Sequence, residues 1–261
     1  MKADWESFTD RTIEAAEVRL LGLADAKSVL ALQKLMVHDV RIQRTMSASV
    51  LICEHPAIVT VGQDGTILDL PTDKRELEAK LIQVVRVDRS GGTLLHQPGQ
   101  LAVYVIASLQ ECGFDLPEYR QRLRQAMIQV CHESQVKAFP KETDETGLWG
   151  RQGLLCEFGI GVDKGITTFG AFLNVGCRLD LAKAAGRGLR GERISSLNTE
   201  RNRPALMPDI RAAVTKHVCE QLGYAEYHIH TGHPFLARSR KFKGESVHAE
   251  SLLNFSSDQP R

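Results

Sequence analysis

The stretch 153-GLLCEFGIGVDKGITTFGAFLNV-175 decides the fold class, because two long apolar runs meet in it at a short turn. The runs 153–163 and 166–175 combine β-branched, aromatic and apolar residues, which is typical of strands. The Asp-Lys-Gly segment 163–165 has the composition of a tight connection. The stretch therefore predicts two strands joined as a hairpin.

Further strands are predicted upstream of this hairpin. The near-continuous apolar run 101-LAVYVIASL-109 suits a strand covered on both faces, which we place at the centre of the sheet. Two β-prone runs flank Pro56 and predict two strands joined by a turn, 49-SVLIC-53 and 57-AIVTV-61. The segments 82-IQVVRVD-88 and 135-QVKAF-139 are also predicted strands.

Three helices are predicted from apolar residues at helical spacing. They start at Asp25, at Pro117 and at Pro208, and the third ends at Leu222 before Gly223. Their expected inward residues are Val29, Leu32, Leu35 and Met36, then Tyr119, Leu123, Met127 and Val130, then Ile210, Val214 and Val218. Strands outnumber helices, so we expect one α/β (α+β) domain, with a mobile polar tail beyond Thr231.

Composition excludes several classes of protein. The 261 residues are 43% apolar, enough for a full core, and 33 basic residues balance 32 acidic ones. Neither nucleic acid nor an anionic membrane surface is therefore an expected partner. The N-terminus lacks the pattern of a signal peptide, and no apolar run is long enough to span a membrane, so we expect a cytoplasmic protein. Six scattered cysteines without CxxC pairs argue against a zinc site and against disulfides.

The segment 89-RSGGTLLHQPGQ-100 combines features that a simple turn does not need. Gly91 and Gly92 allow close backbone approach, and we expect their N–H groups to face a ligand carbonyl. His96 is a candidate hydrogen-bond donor or base. A long hairpin loop with a buried, hydrogen-bonded histidine explains the same residues, so the segment alone leaves function open.

The segment resembles the R-G-G-x-x-T-x-H-G-P-G-Q signature of octanoyltransferases of the lipoate-protein ligase B type. Other stretches are also similar to motifs of that family: 51-LICEHPAIVTVG-62, Gly147-Leu-Trp149, 158-FGIGVDKGITTFGAFLNV-175 and Ile194-Ser-Ser-Leu197. The resemblance covers about residues 25 to 225. The related ATP-dependent ligases carry R-R-x-S-G-G-G-x-V-x-H-D, which the Gln-Pro-Gly-Gln ending does not follow.

The resemblance implies a fold like the catalytic domain of biotin and lipoate ligases, with a mixed, largely antiparallel sheet flanked by helices. We accordingly divide the chain into an N-terminal segment (1–24), the catalytic domain (25–230) and the polar tail (231–261). The implied activity moves an octanoyl group from acyl carrier protein to a lysine of a lipoyl domain, without a cofactor or metal. The implied acceptors are the lipoyl domains of 2-oxoacid dehydrogenases or the glycine cleavage protein.

The resemblance also implies the residues of an apolar tunnel for the acyl chain. The first wall and the carbonyl contacts come from Arg89, Ser90, Gly91, Gly92, Thr93, Leu94, Leu95 and His96. A second wall comes from Glu157, Phe158 and Gly159, and a third from Gly170, Ala171 and Phe172.

The sequence departs from the family at two positions that matter for chemistry. Family members use a cysteine thioester, with a lysine that lowers the pKa of the thiol. Arg187 or Gly188 occupies the expected cysteine position, and Leu154 occupies that of the lysine.

Three explanations stay open at this point. In the first, the nucleophile has moved, either to Cys156, which lies two residues beyond Leu154 and would share its face on a strand, or to Cys177. Alternatively, the amine attacks the donor thioester directly, with His96 as base and the glycine amides stabilising the oxyanion. In the third explanation, an inactive homologue binds a lipoyl or octanoyl group or its carrier domain, and Arg187, Arg190 and Arg193 contact the acidic partner.

Overall fold

The computed structural model describes residues 15–43, 47–66, 77, 79–141, 144–178 and 193–236. The strands in this part are β1 (Ala16–Leu23), β2 (Ser49–Glu54), β3 (Ile58–Val61), β4 (Gln83–Arg86), β5 (Thr93–His96), β6 (Gln100–Ile106), β7 (Phe139–Lys141), β8 (Asp144–Trp149), β9 (Leu154–Asp163), β10 (Ile166–Asn174) and β11 (Tyr227–Thr231). The helices are α1 (Ala26–Gln43), α2 (Leu109–Cys112), α3 (Leu116–Glu133), α4 (Leu197–Arg201) and α5 (Met207–Gln221).

Eight strands form the main sheet in the order β11-β1-β2-β6-β10-β9-β8-β7. β1 runs parallel to both of its neighbours, whereas the pairs from β2 to β7 are antiparallel. The expected mixed, largely antiparallel sheet is therefore confirmed. β6 lies inside the sheet and each of its residues is buried, which confirms the predicted central strand.

Helices cover both faces of the main sheet. α3 and α5 pack together on one face, where Leu123 and Val214 share a core with Val103 of β6. α1 covers the other face, where Leu32 packs with Phe172 in a second core. Because each apolar stripe is buried against the sheet, the three predicted helices are confirmed, and Asp25 caps α1 by accepting a hydrogen bond from Ser28 N at 3.0 Å.

A separate three-stranded sheet has the order β4-β3-β5. The predicted hairpin of β2 and β3 is therefore wrong, because the break at Pro56 sends the two strands into different sheets. β3 instead pairs with β5, which lies inside the segment 89–100. Because β6 of the main sheet starts at Gln100, the segment links the small sheet to the main sheet.

Two further predictions are wrong for local reasons. The segment 135–138 is not a strand, because it completes the end of α3: Gln135 N donates to His132 O and Val136 N to Cys131 O. On α1, Leu35 is exposed, and Gln33 is buried instead. The side-chain oxygen of Gln33 accepts a hydrogen bond from Phe169 N at 2.7 Å, which satisfies a buried amide.

β1 and β11 were not predicted. β1 lies within residues 1–24, and β11 ends at Thr231, where the tail was expected to start. Leu236 packs against the core beneath α1, and the rest of that tail, 237–261, lies outside the described residues. Within the described ranges, no helix is both long and apolar enough to cross a membrane.

Candidate functional site

The segment 89–100 folds as a turn followed by β5, and β5 forms one wall of a cleft. β9 and β10 of the main sheet form the opposite wall. The cleft spans about 400 Å³, part of it open to solvent, but it is narrow, and the centre of a water molecule can occupy only about 20 Å³ of it. Its lining residues are Thr93, Leu94, Leu95, Gln97, Gln100, Leu154, Glu157, Phe172, Asn174 and Ile194.

The cleft brings together five of the expected substrate-binding residues, namely Thr93, Leu94, Leu95, Glu157 and Phe172. Gly159, Gly170 and Ala171 instead lie within the paired strands β9 and β10. Ser90 and Phe158 line a second, larger cavity, which spans about 590 Å³, part of it open to solvent, together with Asp64, Arg120, Arg124, Thr146 and Ile160. Phe158 faces that cavity because it follows Glu157 on a strand, where neighbouring side chains point to opposite faces.

Four of the cleft residues, Gln97, Gln100, Asn174 and Ile194, were not predicted, although each lies inside a stretch that resembles a motif of the family. Leu154 was considered only as the residue at the family's lysine position. The structure places its apolar side chain in the cleft wall, with 2% of the residue exposed. Arg187, Gly188 and Arg190 lie outside the described residues, and Arg193 is exposed.

Arg89 is fully buried behind the cleft rather than in its wall. Its guanidinium donates to Thr60 Oγ1 at 2.9 Å, to Gly92 O at 3.1 Å and to Ser90 O at 2.9 Å. Burial lowers the pKa of Arg89, and the neighbouring Glu157 carboxylate opposes that shift. Arg89 therefore ties the turn to the small sheet and balances the charge of a cleft residue.

A chain of buried side chains runs from Arg89 to the cleft. Thr60 Oγ1 lies 2.9 Å from His96 Nε2, and His96 Nδ1 lies 2.9 Å from Gln100 Oε1. Gln100 Nε2 then donates to Asn174 Oδ1 at 3.0 Å. We call this set of five residues, Arg89, Thr60, His96, Gln100 and Asn174, the buried relay. Gln100 and Asn174 meet because they are directly opposite each other across β6 and β10.

His96 does not line the cleft, so the expected base at its mouth is not there. His96 is 2% exposed, and both of its ring nitrogens are hydrogen-bonded within the protein. Phe172 packs against the ring, with 4.7 Å between the ring centroids. Burial lowers the pKa of His96 well below its ordinary value, and the nearby His55 and Arg89 lower it further. His96 is therefore a neutral structural donor and acceptor.

Gly91 also differs from the expectation that its amide faces a ligand. Gly91 N donates to Asp64 Oδ2 at 2.8 Å, so the protein itself occupies this donor. The glycine is still required for the turn, because its φ of +84° lies in the region that other residues rarely adopt.

Cys156 does not share a face with Leu154, and the reason is a bulge in β9. The β8–β9 pairing aligns Leu148 with Cys156 and Trp149 with Leu154, so Leu155 is an extra residue in β9. This breaks the alternation of side chains, and Leu154 and Glu157 both reach the cleft although they are three residues apart. Cys156 lies in the core beneath α3 instead.

All six cysteines of the chain lie among the described residues, and none of them lines the cleft. Burial raises the pKa of Cys156 well above its ordinary value, and it raises that of Cys177 to about 11. The other four thiols are shifted in the same direction for the same reason. A thiolate nucleophile is therefore disfavoured at neutral pH at every cysteine.

The described residues contain no group of three or more His, Cys, Asp or Glu side chains that could hold a metal ion. The polar groups of the cleft are carboxamides, a hydroxyl and one carboxylate, and its walls are apolar. Such a lining suits an apolar chain that ends in a carbonyl group.

Comparison with known proteins identifies relatives of this chain. The profile of the lipoyl protein ligase A/B catalytic domain matches residues 25–219. An octanoyltransferase of Syntrophotalea carbinolica is 31% identical over 204 residues, which are 77% of this chain and 92% of that protein. An octanoyltransferase of Mycobacterium tuberculosis strain H37Ra is 31% identical over 214 residues, covering 80% of this chain and 88% of that protein.

Solved structures share the fold at lower sequence identity. A crystal structure of lipoate-protein ligase A bound with ATP has a TM-score of 0.71 and 15% identity, covering 89% of this chain and 96% of that one. A bipartite lipoate protein ligase of Thermoplasma acidophilum, determined in a study with its E2 lipoyl domain, has a TM-score of 0.63 and 14% identity. That similarity covers 95% of this chain and 99% of the other.

Proposed function

Because the chain belongs to the lipoyl protein ligase A/B catalytic-domain family, we propose that it transfers an octanoyl group from acyl carrier protein to a lysine of a lipoyl domain. The observation that carries the proposal is the similarity to octanoyltransferases, at 31% identity over more than three quarters of the chain. The acceptors that fit are lipoyl domains of 2-oxoacid dehydrogenases or of the glycine cleavage protein. The archaeal ligase that was studied with its E2 lipoyl domain supports this class of acceptor.

The transfer proceeds without an acyl-cysteine intermediate. All six thiols are disfavoured as thiolates, and none reaches the cleft, so a covalent step at Cys156 or Cys177 is not supported. The lysine nitrogen of the acceptor attacks the thioester carbonyl carbon directly. A C–N bond forms, the C–S bond breaks, and one amine proton ends on the departing thiol of the carrier. The enzyme contributes by holding the two substrates in reacting geometry.

The cleft supports this chemistry through its walls. Leu94, Leu95, Leu154 and Ile194 provide apolar contacts for the acyl chain, while Gln100 and Asn174 place polar groups beside them. A thioester carbonyl held between these groups is shielded from water, so hydrolysis is suppressed and an incoming amine is favoured.

The test is a transfer assay with the purified full chain, octanoyl-acyl carrier protein and an apo lipoyl domain. We expect the acceptor to gain the mass of an octanoyl group while the full chain, quenched in acid at early times, gains none. The variant Cys156→Ser should transfer at the rate of the parent chain. Cys177→Ser should do the same.

Three other outcomes are informative. An octanoyl adduct on either cysteine would contradict direct transfer and restore a covalent route. A chain that binds octanoyl-carrier protein but leaves the acceptor unmodified would overturn transfer and identify a binding protein for the acyl group. An acceptor that is modified equally fast without the chain would remove the enzymatic role.

A further inference from the structure

The buried relay starts at Arg89. A guanidinium can only donate, so Thr60 Oγ1 accepts from it at 2.9 Å. Thr60 Oγ1 has a second lone pair and one hydrogen, so its 2.9 Å contact with His96 Nε2 can run in either direction. A neutral imidazole carries its hydrogen on one nitrogen only, so the direction at Thr60 is set by the contact of His96 Nδ1 with Gln100 Oε1 at 2.9 Å.

The far end of the buried relay is fixed by two backbone carbonyls. Gln100 Nε2 lies 3.3 Å from Leu95 O, and Asn174 Nδ2 lies 3.4 Å from Leu154 O. Rotating either carboxamide by 180° would bring two oxygens together, so each NH₂ group must face its carbonyl. Gln100 Oε1 therefore faces His96 Nδ1 and accepts its hydrogen, His96 Nε2 accepts from Thr60, and every member of the relay donates toward the cleft.

This order leaves one donor for a ligand. Gln100 uses both hydrogens of Nε2, on Asn174 Oδ1 and on Leu95 O. Asn174 Nδ2 has two hydrogens, and within the described part of the chain only Leu154 O accepts one of them. Because Asn174 lines the cleft, its second hydrogen is available there.

We infer that Asn174 Nδ2 donates a hydrogen bond to the carbonyl oxygen of the bound acyl group, and that the buried relay holds it in this orientation. The inference rests on the proposed function and assigns a carbonyl-binding group to that site. His96 is then a positioning residue, because it acts on the substrate only through Gln100 and Asn174.

The chemistry favours a donor at this position. As the amine attacks, the carbonyl oxygen gains negative charge, and a fixed N–H group aimed at it stabilises the transition state more than the bound thioester. Hydrogen bonds that all point the same way polarise one another, and this relay starts at a buried guanidinium. The apolar walls at Leu154 and Ile194 lower the local dielectric and strengthen the interaction.

The first test measures the carbonyl directly. S-octanoyl-pantetheine labelled with ¹³C at the carbonyl is bound to the full chain, and its stretching band is recorded by isotope-edited infrared spectroscopy. We expect the band to shift to lower frequency on binding, and the shift to be lost in Asn174→Ala. Gln97→Ala, which removes another cleft carboxamide, is the matched control and should retain the shift. A shift unaffected by Asn174→Ala, or lost in Gln97→Ala, overturns the inference.

The second test measures the transfer kinetics of variants at Asn174 and at His96 of the buried relay. Asn174→Ala should lower kcat about 100- to 1000-fold, the usual effect of removing one such donor, while KM for the acyl donor changes far less. Asn198→Ala controls for instability, because the Asn198 side chain accepts from Ala205 N away from the cleft. His96→Leu should lose most of the rate, and His96→Asn, whose Nδ2 can replace the Nδ1 donor, should recover part of it.

The outcomes separate the two proposals. A carbonyl shift that depends on Asn174, without any transfer to an acceptor, supports the inference and overturns the proposed function. Transfer with equal rates in the parent chain and Asn174→Ala does the reverse. ¹⁵N spectra of His96 showing the hydrogen on Nε2 instead of Nδ1 would overturn the direction of the buried relay.

Discussion

His96 and His55 lie next to each other in the interior, with ring centroids 5.7 Å apart. His55 Nδ1 donates to Ala24 O at 2.8 Å, and Tyr104 donates to His55 Nε2 at 2.8 Å. Burial lowers the pKa of both histidines in the folded protein, and each ring lies within hydrogen bonds that suit its neutral form. Protonation of either ring would place an unpaired charge in the core.

The folded protein should therefore lose stability in acid. The unfolded chain binds protons at both histidines below a pH of about 6.5 and the folded chain does not, so the free energy of unfolding falls as the pH falls. The slope approaches about 1.4 kcal/mol per pH unit for each histidine. Urea unfolding between pH 7.5 and 5 measures it. His38→Gln, at an exposed position, should keep the slope, and equal stability of the parent chain at pH 7 and 5 would contradict the prediction.

The cysteines should be unreactive in the folded state. Burial raises the pKa of Cys131 to about 12 and that of Cys219 to about 12, so little thiolate is present at pH 8. Intact mass after brief iodoacetamide treatment should show almost no labelling of the native chain, and six additions after denaturation. Rapid labelling of native Cys156 would contradict its placement in the core.

Strand β9 shapes the site through two local features, the extra residue at Leu155 and the absence of a side chain at Gly159. A Cβ at Gly159 would lie 2.6 Å from Arg89 Cδ, so the strand can pass the buried arginine only as glycine. Arg89 in turn starts the buried relay. The geometry of this one element therefore determines where the polar end of the cleft lies.

Gly159→Ala should displace Arg89 and impair the site. We expect a loss of about 1–3 kcal/mol in the free energy of unfolding, as for other overpacked positions, together with reduced acyl transfer. Chemical denaturation and the transfer assay measure the two effects. Val162→Ala, at an exposed position of the same strand, should change neither. Unchanged stability in Gly159→Ala would show that Arg89 is free to move aside.

The sequence predicts a helix or strand well when the apolar pattern that identifies it lies entirely within that helix or strand. α3 buries Tyr119, Leu123, Met127 and Val130 as its spacing predicts. β1 and β11 were missed because AEVRLLGL mixes charged and apolar residues and YHIHT is mostly exposed, so pairing rather than burial makes them strands. The hairpin of β2 and β3 was wrong because the break at Pro56 sends the two strands into different sheets, and the apolar pattern of either strand does not identify its partner.

The motif places the candidate site at the segment 89–100, but the detailed geometry around it could not be predicted. That segment lines the cleft through Thr93, Leu94 and Leu95. The bulge that separates Leu154 from Cys156 depends on register with β8, which no local pattern gives. The hydrogen bonds of His96 depend likewise on residues 36 positions before it and 4 after it.

The cleft lies between the small sheet and the main sheet, and the space between its walls should limit the length of the acyl chain that it accepts. With about 20 Å³ open to the centre of a water molecule, the walls must separate before an acyl chain enters. We therefore expect binding to require side-chain displacement, in contrast to a preformed tunnel. Apolar residues of the wall should control this step.

Leu154→Ala should open the cleft and shift chain-length preference upward by about three carbons, the number that the substitution removes. Calorimetric titration with acyl-pantetheines of increasing length measures the preference. Leu155→Ala is the matched control, because its side chain is equally buried but belongs to the core beneath α3. Both variants should lose about 2–5 kcal/mol of stability. The same length preference in both would contradict the assignment of Leu154 to the acyl wall.

The position of β1 has a consequence for biosynthesis. β1 is paired on one side with β2 and on the other with β11, whose last residue is Thr231. During translation, one edge of β1 therefore stays unpaired until more than two hundred further residues have been made. Native contacts of such long sequence separation form slowly, and ribosome-bound chains that stop before Tyr227 should depend on chaperones to stay in solution.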